Sequence, residues 1–404
     1  MPSRLIPLLS SAALLILAAS PRSLDAQSVR DSAGIRVVRY SRSAAPLQRW
    51  TIDSKPVLEI GGAAGEGPSE FAEIRGVARF NDGRIAVANG ATNEIRMFRN
   101  SGAFQIGAGR AGQGPGEFRR LLRLFRFSDT LAVVDGDSRV QVFAADGRLV
   151  RSLSPIRPAD HRSPQNVGVL RDGSPVVVAT KSSPQQATDE VMYAYAVFRS
   201  ALAGDSLSPL FELPGYREVR VGQAPSRLLL DGEGTVTARG ARICAGFSSR
   251  YDLSCYDASG TATTRILRET DAVAPTDSDR RVVRNAYLAA NRDAPPRVRE
   301  QMERAVQEFR FAERVPAFSR LHISSSDELW VSEFDPSTSL PGPPAALAPA
   351  RSQRWSVFSP DGSWLADILL PARFVAYDVG RDYVAGVSFD ADDVERVTVW
   401  RVRR

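Results

Sequence analysis

Short apolar runs separated by turn residues recur along this chain with a regular period. Two similar linkers, GEGPSEF at residues 65–71 and GQGPGEF at residues 112–118, are 47 residues apart. The match continues from Phe80 to Phe127 and from Phe98 to Phe143. A period in the forties with four short apolar runs per unit is typical of a β-propeller blade.

The first repeat predicts four strands, at residues 76–80, 84–88, 94–99 and 103–107. Asp82-Gly83 and Ser101-Gly102 supply the tight turns that hairpins need. The third strand is the easiest to follow, and it recurs at residues 139–143, 194–199, 251–256, 354–358 and 396–401. The pattern therefore predicts an all-β fold, a six-bladed β-propeller.

The two ends of the chain are predicted to pair with each other. The chain stops just after the sixth third strand, and residues 56–61 carry an Ile60-Gly61 that matches the end of the first complete blade. Pairing the ends closes the ring and removes its exposed edges. Residues 27–32 show no strand pattern. A seven-bladed ring that uses residues 34–40 is the alternative.

Two segments interrupt the repeat. Residues 276–314 predict a two-helix insertion between blades four and five, because Val298, Met302, Val306 and Phe309 follow helical spacing. This apolar stripe should be buried, as a lid or docking surface on one face of the disc. Residues 337–350, rich in proline and small residues, predict a loop within the fifth blade.

The N-terminus predicts export. Arg4 precedes an apolar run at residues 5–19, which is short for a membrane span. We therefore divide the chain into a signal peptide (1–26), a lead-in (27–55) and the propeller (56–404), and expect a periplasmic or extracellular protein with no transmembrane segment in the mature chain. An uncleaved N-terminal anchor is the alternative.

The only two cysteines, Cys244 and Cys255, lie close together. They fall on two short β-like runs, residues 242–247 and 251–256, so a tight hairpin would bring them face to face. Export would permit a disulfide, which we predict for structural reasons. Two free buried thiols are the alternative.

Charge does not point to nucleic acid. The net charge of +6 falls to +5 once residues 1–26 are removed, and this small excess is spread over a large domain. The densest arginine cluster, at residues 119–126, alternates with apolar residues and predicts a strand with its flank. Basic patches that bind nucleic acid usually carry aromatic stacking platforms, whereas Leu121, Leu122, Leu124 and Phe125 give this cluster the apolar pattern of a strand.

Several of these motifs together resemble the exported six-bladed β-propeller proteins related to NHL-repeat domains. They are the GxGPxEF linkers, the Asp-Gly and Ser-Gly hairpins, and residues 315–318 leading to residues 327–331. The resemblance implies a binding scaffold without an established reaction. The chain has only His161 and His322, which argues against a zinc site built from several histidines.

Aligning the blades predicts one ligand or metal site. Asn89, Asp135, Ser248 and Glu333 fall at the ends of second strands, with Thr180 as a weaker member. Equivalent positions in a ring converge on one mouth of the channel, and this set of oxygen atoms suits calcium or a polar ligand. The alternative is that each side chain merely bonds to the loop after its own strand.

The sequence carries no motif of a known catalytic set, and we assign no catalytic residue. Gly-x-Ser-x-Gly, His-Glu-x-x-His and Cys-x-x-Cys are all missing. We therefore predict a monomeric, non-catalytic binding module for a protein, glycan or small polar ligand. The alternative is a metal-dependent hydrolase or lactonase, because gluconolactonase-type propellers hold a divalent cation with similar residue types.

Overall fold

The computed structural model describes residues 26–62, 66–136, 138–154, 157–181, 189–221, 224–336 and 348–404. Almost all of the predicted signal peptide and most of the proline-rich loop at residues 337–350 lie outside these ranges. The described chain is mostly β, with two α-helices. Its strands form five sheets, none of which closes on itself.

The N-terminal strands add to sheets that form later in the chain. Their bounds are β1 (Gln27–Ser32), β2 (Ile35–Tyr40), β3 (Gln48–Arg49), β4 (Thr51–Ile52) and β5 (Leu58–Gly61). β1 and β2 form an antiparallel hairpin around Ala33 and Gly34, which both have positive φ. The prediction that residues 27–32 form no strand is therefore wrong: their pairing comes from a hairpin, although every residue of β1 is exposed.

The first two repeats each form a four-stranded antiparallel sheet in simple meander order. The first sheet contains β6 (Ile74–Arg79), β7 (Ile85–Asn89), β8 (Glu94–Phe98) and β9 (Phe104–Ala108). The second contains β10 (Leu121–Phe127), β11 (Thr130–Asp135), β12 (Val140–Ala144) and β13 (Leu149–Leu153). The four predicted strands of the first repeat are thus confirmed to within two residues. Gly83 and Gly102 occupy the turns with positive φ, which glycine adopts without steric cost.

The middle of the chain forms an eleven-stranded sheet. Its strands after β2 are β14 (His161–Leu170), β15 (Pro175–Lys181), β16 (Glu190–Ser200), β17 (Leu207–Val221), β18 (Ala224–Arg227), β19 (Gly234–Gly240), β20 (Arg242–Phe247), β21 (Tyr251–Asp257) and β22 (Ala262–Arg268). Two antiparallel groups, β14–β18 and β19–β22, are joined by a parallel contact between β14 and β19. β2 adds in parallel to β22 and carries β1 at the edge.

The predicted disulfide is confirmed. Cys244 on β20 is directly opposite Cys255 on β21, and the two sulfur atoms are bonded. Both residues are buried in a cluster that includes Leu253, Phe318 and Trp364. The bond therefore crosslinks the β20–β21 hairpin within the core.

The two helices lie between β22 and the next strand. α1 spans Asp277–Ala290 and begins with a capping box, in which Thr276 and Asp279 exchange hydrogen bonds with each other's backbone N–H. α2 spans Pro296–Ala305 and starts at a proline, which suits the first turn of a helix. The expected apolar stripe is only partly buried: Val306 is inaccessible, but Val298 remains 39% exposed.

The last strands form two further sheets. They are β23 (Leu321–Ile323), β24 (Leu329–Ser332), β25 (Gln353–Phe358), β26 (Trp364–Leu370), β27 (Phe374–Val379), β28 (Tyr383–Phe389) and β29 (Glu395–Arg403). β3 adds in parallel to β26. β5 and β4 both pair antiparallel with β29, with Leu58 opposite Val399 and Gly61 opposite Arg396. The N-terminal segment thus pairs with the C-terminal strand that the sequence predicts.

Apolar clusters fill the spaces between neighbouring sheets. One cluster joins Ile60 of β5 and Val397 of β29 to Ile74 and Val87 of the first sheet. Burying each such side chain contributes roughly 1.5 to 3 kcal/mol. The pairing of the two chain ends is therefore stabilised by packing as well as by hydrogen bonds.

Candidate functional site

A cavity of about 600 Å³ is lined by strands from all five sheets. β6, β10, β14, β19, β23 and β27 all contribute to its wall. The charged residues of its lining are mainly basic. The basic ones are Arg75, Arg123, Arg126, Arg239 and Arg320, and the acidic ones are Glu233 and Asp378. Residues far apart in sequence therefore share one concave, polar site, which is the usual setting for a small-molecule ligand.

One group of charges in the cavity surrounds Tyr377, and we call it the Tyr377 cluster. Tyr377 on β27 donates a hydrogen bond to the carbonyl oxygen of Ile74, at 3.2 Å, which places its ring beside β6. Burial raises the pKa of Tyr377 to about 12 and Glu395 adds to the shift, although Arg320, Arg75 and Arg123 act in the opposite direction. Tyr377 is therefore a neutral phenol facing three guanidinium groups.

A second group, the Asp378 cluster, is internally neutralised. Asp378 forms an ion pair with Arg239 at 2.7 Å. Its other carboxylate oxygen accepts hydrogen bonds from the backbone N–H of Arg79, at 2.8 Å, and from the hydroxyl of Tyr383, at 3.0 Å. Burial alone would raise the pKa of Asp378, but Arg239 and the Arg79 N–H outweigh it and hold the pKa below its usual range.

His322 lines the cavity between these two clusters. Its ring packs against Trp355, with ring centroids 5.4 Å apart. Burial lowers the pKa of His322 to about 4, and the nearby Arg320 and Arg239 add to the shift. The imidazole is therefore neutral at physiological pH. The predicted strand at this histidine is confirmed, whereas its exposure to the cavity was not foreseen.

The part of the wall formed by β14, β15 and β19 is polar with little free charge. Gln165, Thr180, Thr235 and Thr237 lie in this part. Glu233, the one carboxylate there, accepts hydrogen bonds from the Tyr195 hydroxyl at 3.0 Å and from Arg227 at 3.2 Å. This wall can therefore exchange neutral hydrogen bonds with a ligand.

Two of the predicted site residues bond to their own surroundings. Asn89 accepts from the backbone N–H of Ala72, at 3.0 Å, and donates to Thr92, at 2.8 Å. Asp135 accepts from the backbone N–H of Arg120, at 3.0 Å, and pairs with Arg139, at 2.6 Å. Both side chains are buried. Their contacts match the alternative in which such residues fix the loops at strand ends.

The other two predicted site residues also have contacts near their own strand ends. Ser248 is buried and accepts from the backbone N–H of Glu233, at 2.9 Å. The side chain of Glu333 is 64% exposed, 3.7 Å from Arg354. Of the described residues that line the cavity, only Thr180 belongs to the predicted set. A ligand-binding role for Asn89, Asp135, Ser248 and Glu333 stays a prediction.

The structure offers no clear cation site in the described ranges. There, no group of three or more histidine, cysteine, aspartate or glutamate side chains is arranged to hold a metal ion. The calcium site also stays a prediction. The described residues likewise include no helix with the length and apolar character needed to cross a membrane.

Comparison with known proteins identifies a fold and no family. No family model matches the chain, and no curated protein matches it in sequence. A member of the DUF4221 family from Bacteroides vulgatus has a TM-score of 0.50 at 10% identity, over 88% of this chain and 99% of that one. This likeness shows a shared fold. The resemblance to NHL-repeat proteins stays a prediction.

Two further solved structures are similar at lower scores. A Bacteroides fragilis protein named as exported has a TM-score of 0.46 at 11% identity, over 91% of this chain and 99% of that one. The virginiamycin B lyase of Staphylococcus aureus has a TM-score of 0.38 at 8% identity, over 88% of this chain and 100% of that one.

Proposed function

We propose that the mature chain is an exported six-bladed β-propeller that binds a small polar molecule in its central cavity without transforming it. The observation that carries this proposal is the cavity itself, because six first strands from across the sequence line one polar space. Propeller blades are four-stranded sheets set around a central channel. The ligand would occupy that channel.

The blade count rests on the strand pairing. Splitting the eleven-stranded sheet at its β14–β19 contact leaves six groups that each begin at the cavity. In the last group β5 supplies the outer strand next to β29. The two helices then follow the fourth group as an insertion. Export is supported by the apolar run at residues 5–19 and by the disulfide, which oxidising compartments favour.

Closure of the ring is tested by two deletions. Removing residues 53–62 takes away β5 and its packing against β29, so cooperative unfolding should be lost. Removing residues 27–32 takes away only the exposed edge strand β1 and should leave a sharp transition. Chemical denaturation followed by fluorescence measures both. A sharp transition in the first variant would contradict the closed ring.

Ligand binding in the cavity is tested by filling it. Thr237 lines the cavity and is only partly buried, so Thr237→Trp should occupy ligand space. Thr51→Trp, at an exposed position on β4, is the matched control. We expect a panel of neutral sugars and hydroxy acids to contain a molecule that raises the melting temperature of wild type and Thr51→Trp, but not of Thr237→Trp.

The hydrolase alternative predicts a different result. Metal analysis of protein purified without chelators would then find stoichiometric calcium or zinc, and metal removal would abolish turnover of lactones. Absence of metal together with ligand binding would favour the binding module. Equal ligand responses in Thr237→Trp and wild type would contradict a cavity site.

A further inference from the structure

Two arginines lie side by side on one wall of the cavity. β6 and β10 touch at Gly76 and Leu124, where a Cβ added to Gly76 would lie only 2.7 Å from the Cβ of Leu124. Arg75 and Arg123 are the residues that precede these two contact positions. The absence of a side chain at Gly76 therefore lets the strands approach and brings the two guanidinium groups to the same part of the wall.

The positive charge of Arg123 has no carboxylate partner among the described residues. In the same part of the chain its side chain makes one hydrogen bond, to the carbonyl oxygen of Asn166, which is long at 3.4 Å. Arg75 is paired with Glu73 at 2.5 Å, but its Nε atom is buried and has no hydrogen-bond partner in the part of the chain that the structure describes. Arg320, which Asp335 influences, adds a third cation near Tyr377.

The side chain of Arg123 is exposed on the wall of the cavity, so its donors are accessible to a molecule that enters. A guanidinium group in a concave site, close to two further arginines and without a carboxylate partner among the described residues, is well placed to receive an anionic group. The partner of Arg123 is therefore best supplied by a ligand.

We propose that Arg123, flanked by Arg75 and Arg320, binds the oxyanion of a small organic ligand, a carboxylate or a phosphate group, within the cavity. The proposal rests on the cavity-binding function above and names the ligand class. A guanidinium group recognises both kinds of oxyanion with two parallel hydrogen bonds. The Tyr377 hydroxyl already donates to Ile74, so Arg123 is the donor on which the proposal depends.

The remainder of the ligand should be neutral and rich in hydroxyl groups. The cavity of about 600 Å³ is much larger than an inorganic anion. Gln165, Thr180 and Thr235 lie on the wall that carries little free charge. Asp378 is already neutralised by Arg239, so it offers no free carboxylate for a cationic group. A hydroxylated acid or a sugar phosphate fits this distribution.

Calorimetric titration with inorganic phosphate and with malate tests the proposal, and the two probes separate phosphate from carboxylate recognition. Wild type should bind at least one probe, and Arg123→Gln should weaken that binding by about tenfold or more, the loss expected for a charge-assisted bidentate contact. Arg148→Gln is the matched control, because Arg148 is an exposed residue of the same sheet with no side-chain partner among the described residues. It should change affinity by less than about twofold.

Arg123→Lys keeps the charge and guards against misfolding of the first variant. Its affinity for the probe should lie between those of wild type and Arg123→Gln, since lysine lacks the planar guanidinium group that makes two parallel hydrogen bonds. Binding of neither probe to wild type would overturn the proposal, as would equal weakening by Arg123→Gln and Arg148→Gln. If a neutral sugar binds wild type, is lost in Thr237→Trp and is unchanged in Arg123→Gln, the oxyanion site is wrong while the cavity function stands.

Discussion

Arg123 and Arg239 line the same cavity but have opposite surroundings. Arg239 contacts Asp378 at 2.7 Å, and that carboxylate outweighs burial and raises the pKa of Arg239. Arg123 has no such partner among the described residues, and its side chain is exposed to the cavity. The Asp378 cluster therefore serves the fold, whereas the Tyr377 cluster leaves positive charge available to a ligand. Residue type alone does not separate the two roles.

The largest expected effect is at Arg239. Arg239→Gln would leave Asp378 buried without its cation, and breaking a buried pair in this way costs about 3 to 5 kcal/mol. Urea unfolding of the variant and of Arg148→Gln measures the difference. A loss below about 1 kcal/mol, the range of exposed pairs, would mean that the Asp378 cluster is not a structural ion pair.

His322 predicts a pH dependence of stability. Its pKa is near 6.5 in the unfolded chain and about 4 in the folded protein. As the pH falls, the unfolded state therefore binds the proton first. The stability that neutral His322 contributes is complete above pH 6.5 and is lost as the pH falls towards 4. This titration changes the unfolding free energy by about 3 kcal/mol. Unfolding free energies at pH 7 and pH 5 should diverge less in His322→Gln than in wild type. If wild type and His322→Gln lose the same unfolding free energy between pH 7 and pH 5, His322 is not buried in its neutral form.

The smallest expected effect on stability is at Arg123. Because no carboxylate loses a partner, Arg123→Gln should change the unfolding free energy of the ligand-free protein by less than about 0.5 kcal/mol, or stabilise it. Differential scanning calorimetry in an oxyanion-free buffer measures this. A loss comparable to that of Arg239→Gln would contradict the division into a structural and a ligand-binding cluster.

Much of the fold could be predicted from local patterns. The third strands, the Asp-Gly turns and the cysteine hairpin depend on neighbours in sequence, and the structure has all of them. The pairing of residues 56–61 with the C-terminal strand followed from the one incomplete repeat. β1 was missed because an exposed edge strand needs no apolar residue, so its polar sequence gives no signal.

The candidate site was harder to predict. Aligning second-strand ends selected Asn89 and Asp135, whose side chains bond locally. The cavity is lined by strands that lie far apart in sequence, and contacts over such distances are not encoded in any short segment. One signal was present: Arg75 and Arg123 recur 48 residues apart, close to the repeat period, beside small or apolar residues. An arginine that recurs at nearly the same place in the first strands of two repeats is a better guide to such a cavity than strand-end polar residues.

A crystal structure with bound selenate would show whether Arg123 binds an oxyanion inside the cavity, because this tetrahedral oxyanion can be located by its anomalous scattering. We expect six first strands around one cavity and a selenate peak within hydrogen-bond distance of Arg123. That peak should be lost in Arg123→Gln crystals and retained in Arg148→Gln crystals. A cavity filled by side chains, or selenate bound only at surface arginines, would contradict this expectation.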